Sequence, residues 1–252
     1  MSRFAPGACV LRSDGTVTIS ADQMKHVFIV AYGRTGSTAL MHALNCIDGA
    51  CIRGENGGMI RTLAEAATLA HAARRRHAHD SAEDTRPWYG AGDIRARRFG
   101  AAIARAFTRT ILAPPEGTRL TGFKEIRYAS DTLTDEDFEA VLRFMLECFD
   151  DPYVIFLTRD PEQVAESAWW QTRDREAVMD VLDLTVHRFR MAHEDYPDRT
   201  FMIDHGAFDT SPEGLRPLLD WLGEDVPSDV LARALLQRIV MPEEADPPRS
   251  RV

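Results

Sequence analysis

The sequence predicts an α/β domain with a central parallel sheet flanked by helices, and three observations support this fold class. Residues 26–32 and 152–158 are continuous apolar runs rich in β-branched side chains, as expected of strands that are buried on both faces. Segments with apolar residues at helical spacing alternate with the strands, which is typical of parallel sheets. The 252 residues, 44% of them hydrophobic, are enough to bury a sizeable core as one domain.

The N-terminal part of the chain contains the first predicted elements. Residues 8–20 hold two β-prone runs around a Ser-Asp-Gly turn, which predicts a short hairpin at the edge of the domain. The strand at 26–32 runs at once into a glycine-containing turn, and residues 37–45 then have apolar side chains at helical spacing. Residues 61–110 are rich in Ala and Arg and predict helices, with an interruption at an Arg-Pro-Trp-Tyr-Gly stretch.

Three further strands are predicted downstream, at residues 120–126, 152–158 and 200–203. A helix follows each of them: the first is opened by Thr134, the second comes after Pro161, and the third spans residues 212–222. The chain ends in a proline-rich segment, residues 241–252, which we expect to be disordered. The predicted domain therefore spans residues 1–240.

Composition and charge argue against several classes of function. The 39 acidic residues outnumber the 30 basic ones and give a net charge of −9, whereas nucleic-acid and membrane-surface binders need a broad basic surface. The four cysteines have no metal-binding spacing, so a reducing compartment is the simpler interpretation. No apolar run is long enough to span a bilayer and no segment has the pattern of a signal peptide. We therefore expect a cytoplasmic protein that does not bind nucleic acid.

A glycine-containing turn, residues 32–38, joins the first buried strand to the first helix. Backbone N–H groups and the helix dipole favour an anion at such a turn. The glycines allow close approach, the arginine adds a permanent cation, and the hydroxyl groups add donors. The candidate phosphate-binding residues are Gly33, Arg34, Thr35, Gly36, Ser37 and Thr38. An ordinary strand-to-helix turn is the alternative interpretation.

The same turn does not match the loop that binds nucleoside triphosphates. That loop has the pattern GxxxxGK[ST], with a lysine immediately before the hydroxyl residue. In this sequence Gly36 occupies the position of that lysine. Magnesium-dependent ATP chemistry is therefore disfavoured.

A second candidate anion site follows the strand at 152–158. Arg159 ends this strand at its carboxyl edge, where open α/β sheets bind ligands, and Ser167 is expected about two turns into the next helix. Both side chains could hold one phosphate. In the alternative interpretation Arg159 pairs with Asp160 or Glu162 and Ser167 faces solvent.

Taken together, the two segments resemble the nucleotide-binding elements of sulfotransferases that use 3′-phosphoadenosine 5′-phosphosulfate (PAPS). In that family a strand–loop–helix of the form Tyr-Pro-Lys/Arg-Ser-Gly-Thr-Thr binds the 5′-phosphosulfate, and residues 32–38 match it. The family holds the 3′-phosphate with an Arg at a strand end and a Ser eight residues later, as Arg159 and Ser167 are spaced. Residues 202–208 and 218–223 resemble the family's late strand and helix end. The resemblance implies a P-loop-like fold, with PAPS as donor, 3′-phosphoadenosine 5′-phosphate (PAP) as product and no metal.

The resemblance also implies a catalytic base. Tyrosylprotein sulfotransferases place a Gly-Glu pair shortly after the first helix and use the glutamate as base, and Glu55 occupies that place. Their next element is a Lys beside an acidic residue, which Lys124 resembles. By this resemblance Glu55 takes the proton of the acceptor hydroxyl, while Lys124 and Arg34 neutralise the negative charge that develops on the leaving phosphate. Arg127 is a further candidate for the same charge cluster.

Simpler interpretations of the two residues remain open. In these, Glu55 is a loop acid that pairs with Arg53 or Arg61, and Lys124 is a surface strand residue balanced by Glu125. Lysine is rare here, since only two of the 30 basic residues are lysines. Arginine-biased coding therefore gives no reason for a lysine at this position.

Two other groups of residues have a possible function. Potential metal ligands occur in an Ala-rich segment at His71, His77, His79 and Asp80. Three consecutive arginines in the same segment would repel a cation, so we predict no metal site. Two aromatic pairs, Trp88-Tyr89 and Trp169-Trp170, favour core packing, with a cover for an adenine or a sugar as the alternative.

We therefore predict a sulfotransferase that transfers a sulfuryl group from PAPS to a hydroxyl of a small-molecule or glycan acceptor. Residues 56–118 are expected to form a helical acceptor side but contain no decisive motif, so sugar, lipid, phenol and peptide acceptors stay open. The Ser-Ala-Trp-Trp stretch at 167–170 resembles bacterial carbohydrate sulfotransferases. The alternatives are a P-loop-type nucleotide kinase and a non-catalytic nucleotide-binding domain.

Overall fold

The computed structural model describes residues 24–236, and in this range five strands form one parallel sheet with helices on both faces. The strands are β1 (Lys25–Val30), β2 (Ala50–Arg53), β3 (Leu120–Glu125), β4 (Pro152–Thr158) and β5 (Thr200–Asp204). Their order is β2-β3-β1-β4-β5, and every neighbouring pair is parallel. The predicted fold class is confirmed. The hairpin predicted at 8–20 and the tail predicted at 241–252 lie outside the described residues.

Eight α-helices accompany the strands in the described part of the chain. They are α1 (Ser37–Leu44), α2 (Met59–His77), α3 (Ala96–Phe107), α4 (Asp135–Cys148), α5 (Pro161–Ala165), α6 (Arg175–Asp195), α7 (Arg216–Leu222) and α8 (Ser228–Leu235). Thr134, Asp160 and Asp174 cap α4, α5 and α6, because each side chain accepts a hydrogen bond from a backbone N–H of the first turn.

Two hydrophobic cores lie on opposite faces of the sheet, which explains the continuous apolar runs of the strands. Along β1, Phe28 packs into one core and Ile29 into the other, because successive side chains of a strand point to opposite faces. Helices α2, α3, α4 and α6 close the first core, and α1, α7 and α8 close the second. The central strands are therefore buried on both sides.

Most predicted elements are present. Strands β1, β3, β4 and β5 coincide with the predicted strands, α1 with the helix predicted at 37–45, and α2 and α3 with the interrupted helices predicted at 61–110. The helix predicted at 212–222 begins as a 3₁₀ turn and continues as α7. Strand β2 was not predicted, because it has four residues and only Ile52 among them is fully buried.

A helix begins at Pro161 as predicted, but it is too short to include Ser167, so the expected position of Ser167 in that helix is wrong. Helix α5 ends at Ala165, a 3₁₀ turn spans Ala168–Thr172, and α6 begins only afterwards. Ser167 therefore has extended backbone angles, with φ −114° and ψ 128°, instead of lying two turns into a helix. Ala168 has a φ of 52°, which a right-handed helix does not contain.

The topology determines which edge of the sheet can bind a ligand. The chain leaves β1 through α1 on one face, and it passes from β3 to β4 through α4 on the other face. The strand order therefore reverses between β1 and β4, and open α/β sheets bind ligands at the carboxyl ends of the strands beside such a point. The segments that follow all five strands meet at this edge.

Candidate active site

The turn after β1 is shaped by two glycines that other side chains closely approach. A β-carbon at Gly33 would lie 2.4 Å from Cζ2 of Trp169, and one at Gly36 would lie 2.2 Å from Cδ2 of His205. Gly36 also has a φ of 82°, a left-handed conformation that glycine adopts without strain. Both positions therefore require glycine for the turn to keep its shape.

The N-terminus of α1 leaves backbone donors free for an anion. Gly36 caps this helix without a side-chain hydrogen bond, and the first turn contains no acidic residue. The N–H of Leu40 is the first to find an intrahelical acceptor, the Gly36 carbonyl at 3.2 Å, so the N–H groups of Ser37 and Thr38 precede the helical hydrogen bonds. The buried hydroxyl of Thr35 donates to the Tyr32 carbonyl oxygen at 3.1 Å. Thr35 would therefore contact a ligand through its backbone and not through its hydroxyl. This end of α1 suits a phosphate.

Arg34, Arg159 and Ser167 form one hydrogen-bonded unit. Nε of Arg34 donates to Oγ of Ser167 at 2.9 Å, and Nη1 of Arg159 donates to the Arg34 carbonyl oxygen at 3.1 Å. The two predicted anion sites are therefore adjacent.

The simpler interpretation of Arg159 is not observed. Asp160 accepts hydrogen bonds from the backbone of α5, and Glu162 pairs with Arg175. Arg159 instead donates to Oε1 of Gln163 at 3.1 Å through its Nε. Its guanidinium group is therefore not neutralised by either acid next to it in sequence.

Tyr32 joins the turn to the end of β4. Its hydroxyl donates to the carbonyl oxygen of Arg159 and accepts from the N–H of the same residue, both at 3.0 Å. Burial is the main cause that raises the pKa of Tyr32 to about 12, so its hydroxyl stays protonated as a donor. Sequence reasoning did not identify this role, because it depends on the distance between two strands.

The Glu55 cluster, which consists of Glu55, Lys124 and Arg127, lies at the ends of β2 and β3. Nζ of Lys124 contacts Oε1 of Glu55 at 2.5 Å, and Nη1 of Arg127 contacts Oε2 at 3.2 Å. Lys124 is only 7% exposed, whereas the Glu55 side chain is partly open to solvent. An antiparallel bridge between Tyr32 and Arg127 joins the cluster to the turn after β1.

The expected alternative partners of Glu55 are bound elsewhere. Arg53 donates to the carbonyl oxygens of Leu112 and Ala113, and Arg61 pairs with Asp137 at 2.6 Å. Glu55 is therefore free of both arginines.

Glu125, next to Lys124 in sequence, is buried and has hydrogen-bond partners of its own. This acid is 1% exposed and accepts hydrogen bonds from the backbone N–H groups of Asn56, Gly58 and Ile126. It also pairs with Arg127 at 2.6 Å. Burial opposes the charge on Arg127, yet Glu125 and Glu55 together outweigh burial and raise the pKa of Arg127. Lys124 therefore has Glu55 as its carboxylate partner, and Glu125 orders the loop that carries Glu55.

His205 is a site residue that sequence reasoning missed. It follows β5 directly, and its ring packs against Gly36 and the ring of Phe208. Burial, and then the charge of Arg159, lower the pKa of His205, although Asp204 and Asp209 oppose this effect. The residue lies inside a stretch that resembles a known late strand, but nothing in the sequence indicates which loop it would contact.

The aromatic pairs divide between core and surface. Trp170 is buried and donates from Nε1 to the Gly33 carbonyl oxygen at 3.2 Å, and Trp169 packs beside it. Trp88 and Tyr89 are 48% and 62% exposed, so the favoured core packing is wrong for this pair, and Trp88 stacks on His77 instead.

Residues 24–236 hold neither a metal-binding cluster nor a membrane-spanning helix. This range contains no group of three or more His, Cys, Asp or Glu side chains placed to hold a metal ion. It also contains no helix with both the length and the apolar character needed to cross a membrane.

Comparison with known proteins supports the fold. The sequence matches no protein-family model, and comparison with curated proteins finds no match. Among solved structures, the chain is similar to a sulfotransferase domain from the curacin biosynthetic pathway, with a TM-score of 0.52 and 16% sequence identity. The similarity covers 86% of this chain and 79% of that domain. At this identity the likeness establishes a shared fold, in agreement with the predicted parallel α/β sheet flanked by helices.

Proposed function

We propose that the protein transfers a sulfuryl group from PAPS to a hydroxyl group of an acceptor, with Glu55 as general base. The proposal rests on one observation: a carboxylate 2.5 Å from the buried Lys124, beside a turn that suits a phosphate but lacks the lysine of a triphosphate loop. The fold shared with a sulfotransferase domain supports the same reaction class.

In this proposal the donor lies along the carboxyl edge of the sheet. Its 5′-phosphosulfate contacts the start of α1 and residues 33–38, and its 3′-phosphate contacts Arg159 and Ser167. These groups are compatible with one ligand, since Arg34 is hydrogen-bonded to both Arg159 and Ser167. Two arginines, Lys124 and the free N–H groups of α1 supply the charge and donors that a nucleotide bisphosphate needs.

The proposed reaction is an in-line displacement at sulfur. Glu55 removes the proton of the acceptor hydroxyl while the hydroxyl oxygen attacks, so that an O–S bond forms to the acceptor. The bond from sulfur to the bridging phosphate oxygen breaks, its electron pair stays on that oxygen, and PAP is released. Lys124 moves from Glu55 to the bridging oxygen when the donor binds. This movement frees Glu55 to act as a base and neutralises the developing charge.

A Glu55→Gln variant tests the assignment. We expect turnover with PAPS to fall by about 10²–10⁴-fold, because the amide cannot accept the proton, whereas the affinity for PAP should change less than roughly threefold. Calorimetry with PAP and a radiolabelled sulfate transfer assay measure the two quantities separately. Glu139→Gln, on the exposed face of α4, is the matched control and should leave both unchanged.

Two results would argue against the proposal. Unchanged turnover in Glu55→Gln would remove this residue from the role of base. Binding of PAP without transfer of the sulfuryl group of PAPS to water or to any of a broad set of acceptors would favour a non-catalytic nucleotide-binding domain.

A further inference from the structure

Glu125 ends β3 directly after Lys124, yet the proposed reaction gives it no role. It is 1% exposed, so a carboxylate lies in the interior at the edge where the donor is proposed to bind. Burial of a carboxylate is costly unless hydrogen bonds and an opposite charge compensate it. The groups that compensate Glu125 therefore show what this side chain holds in place.

One oxygen of Glu125 holds the loop that carries Glu55. Its Oε2 accepts hydrogen bonds from the N–H of Asn56 at 3.3 Å and from the N–H of Gly58 at 2.9 Å. The buried side-chain amide of Asn56 has no hydrogen-bond partner among residues 24–236. Asn56, the residue next to the proposed base, is therefore held through its backbone by Glu125.

The sequence of this loop does little to restrict its shape. Gly57 and Gly58 follow each other with φ angles of 71° and 74°, and glycine is the residue with the greatest backbone freedom. A β-carbon added at Gly57 would meet no atom within 4 Å, so packing does not confine the loop there. An anchor outside the loop is needed to keep Glu55 in one position.

The other oxygen of Glu125 shares Arg127 with Glu55. Nη1 of Arg127 lies 2.6 Å from Oε1 of Glu125 and 3.2 Å from Oε2 of Glu55. The shorter contact is made with the acid that is not the proposed base. Without the charge of Glu125, Arg127 would pair with Glu55 alone and hold a carboxylate oxygen that has to accept the proton.

We propose that Glu125 is a positioning residue for the sulfuryl transfer, which anchors the loop of Glu55 with one oxygen and draws Arg127 away from Glu55 with the other. Because it is buried, it acts through Glu55 and not on the reacting atoms. The inference rests on the proposed function, since the position of Glu55 matters for turnover only if Glu55 is the base.

Hydrogen exchange of the loop amides, followed by NMR, tests the anchor without any acceptor. After correction for intrinsic rates, the N–H of Gly58 should exchange at least about tenfold more slowly than the N–H of Gly57. In Glu125→Gln this ratio should fall at least about threefold, because an amide is a weaker acceptor than a carboxylate. Glu224→Gln, a buried acid that pairs with Arg119 at the amino edge, is the matched control and should keep the ratio. Equal exchange at both glycines of the wild type would overturn the inference.

A double-mutant cycle with Glu55→Gln separates positioning from a purely structural role. Turnover is measured with radiolabelled PAPS and a broad panel of hydroxyl compounds that includes water, phenol and glucose. Glu125→Gln should lower kcat by about tenfold to a hundredfold and change the Kd for PAP less than about threefold. In the Glu55→Gln background it should lower kcat no further. Glu224→Gln should leave kcat unchanged.

The outcomes distinguish this inference from the proposed function. Should Glu125→Gln fail to fold and bind PAP, Glu125→Asp carries the same comparison, because it keeps the charge and shortens the side chain by one carbon. Wild-type kcat in a folded variant, or an equal loss with and without Glu55, would overturn the inference and leave the sulfotransferase assignment intact. Binding of PAP by the wild type without transfer to any member of the panel would instead contradict the proposed function.

Discussion

At the scale of single residues, the shape of the turn after β1 depends on backbone geometry more than on its hydroxyl groups. Gly36 combines a left-handed φ of 82° with the close approach of His205. Tyr32 ties the turn to the end of β4 through two hydrogen bonds. The turn is therefore held open toward a ligand by residues that themselves need not contact it.

The substitution Gly36→Ala, compared with Gly117→Ala, should separate the cost of a left-handed alanine backbone from the cost of steric overlap with His205. A left-handed alanine costs about 1 kcal/mol, and the overlap with His205 should add about 1–2 kcal/mol. Gly117 has a φ of 83°, and a β-carbon added there would meet no atom within 4 Å, so Gly117→Ala should show the first cost alone. Urea denaturation of both variants measures the difference. Equal destabilisation, or no rescue of Gly36→Ala by His205→Ala, would contradict the packing of His205 on the turn.

Sequence reasoning named candidate residues one by one but did not foresee the contacts between them. Glu55 and Lys124 were each assigned a separate role, and the structure brings them into contact. Ser167 was assigned to a phosphate, and it also holds Arg34. His205 was missed because its role depends on the contact between the loops after β1 and β5, which no local pattern encodes.

At the scale of elements, the segment between α5 and α6 illustrates how tertiary contacts override local preference. Nothing in residues 161–167 breaks a helix strongly, so Ser167 was expected to lie about two turns into the helix after Pro161. The chain instead turns at Ala168, and Trp170 reaches the Gly33 carbonyl oxygen. Strand β2 is the opposite case, since its four residues form a strand only because β3 offers an open edge.

Replacement of Trp170 should weaken both the fold and the site. Trp170→Phe removes the indole donor and leaves the Gly33 carbonyl unpaired in a buried place, which should cost about 1–3 kcal/mol. The Kd for PAP should rise as well, because the hydrogen bond that joins the segment of Ser167 to the turn after β1 is lost. Trp88→Phe, on the exposed stretch before α3, is the matched control and should change neither. Chemical denaturation and calorimetry give the two values, and a Trp170→Phe protein with wild-type PAP affinity would show that this segment does not support the nucleotide site.

At the scale of the whole molecule, the two ends of the sheet have different chemistry. The net charge is −9, yet Arg34, Lys124, Arg127 and Arg159 gather at the carboxyl edge. For binding an anion at this edge, the local positive charge therefore matters more than the net charge of the chain. At the amino edge, His26 is buried between the carbonyl oxygen of Asp150, at 2.6 Å, and Oγ1 of Thr108, at 3.1 Å.

The burial of His26 should make the stability of the protein depend on pH. Burial is the main cause that lowers the pKa of His26 from 6.5, although Asp150 partly opposes it. Below this pH the unfolded chain binds a proton more readily than the folded protein. The contribution of His26 is therefore complete above about pH 6.5 and is lost as the pH falls through the folded pKa, with a slope of at most about 1.4 kcal/mol per pH unit.

Urea unfolding between pH 7.5 and pH 5.5 measures this slope. The variant His26→Gln should unfold with a smaller pH dependence than the wild type. His205→Gln is the comparison for the second histidine whose pKa is lowered, and its effect should add to that of His26. The same pH slope in the wild type and in His26→Gln would exclude His26 as the source.

The most direct test of the nucleotide assignment is calorimetric titration of PAP and AMP, in EDTA, into the wild type and into Arg159→Ala. The two nucleotides differ by the 3′-phosphate, which Arg159 and Ser167 are proposed to hold. PAP should bind the wild type roughly tenfold or more tightly than AMP, and Arg159→Ala should remove most of that difference. Equal affinity for PAP and AMP, or tighter binding of ATP with magnesium than of PAP, would contradict a PAPS-dependent sulfotransferase.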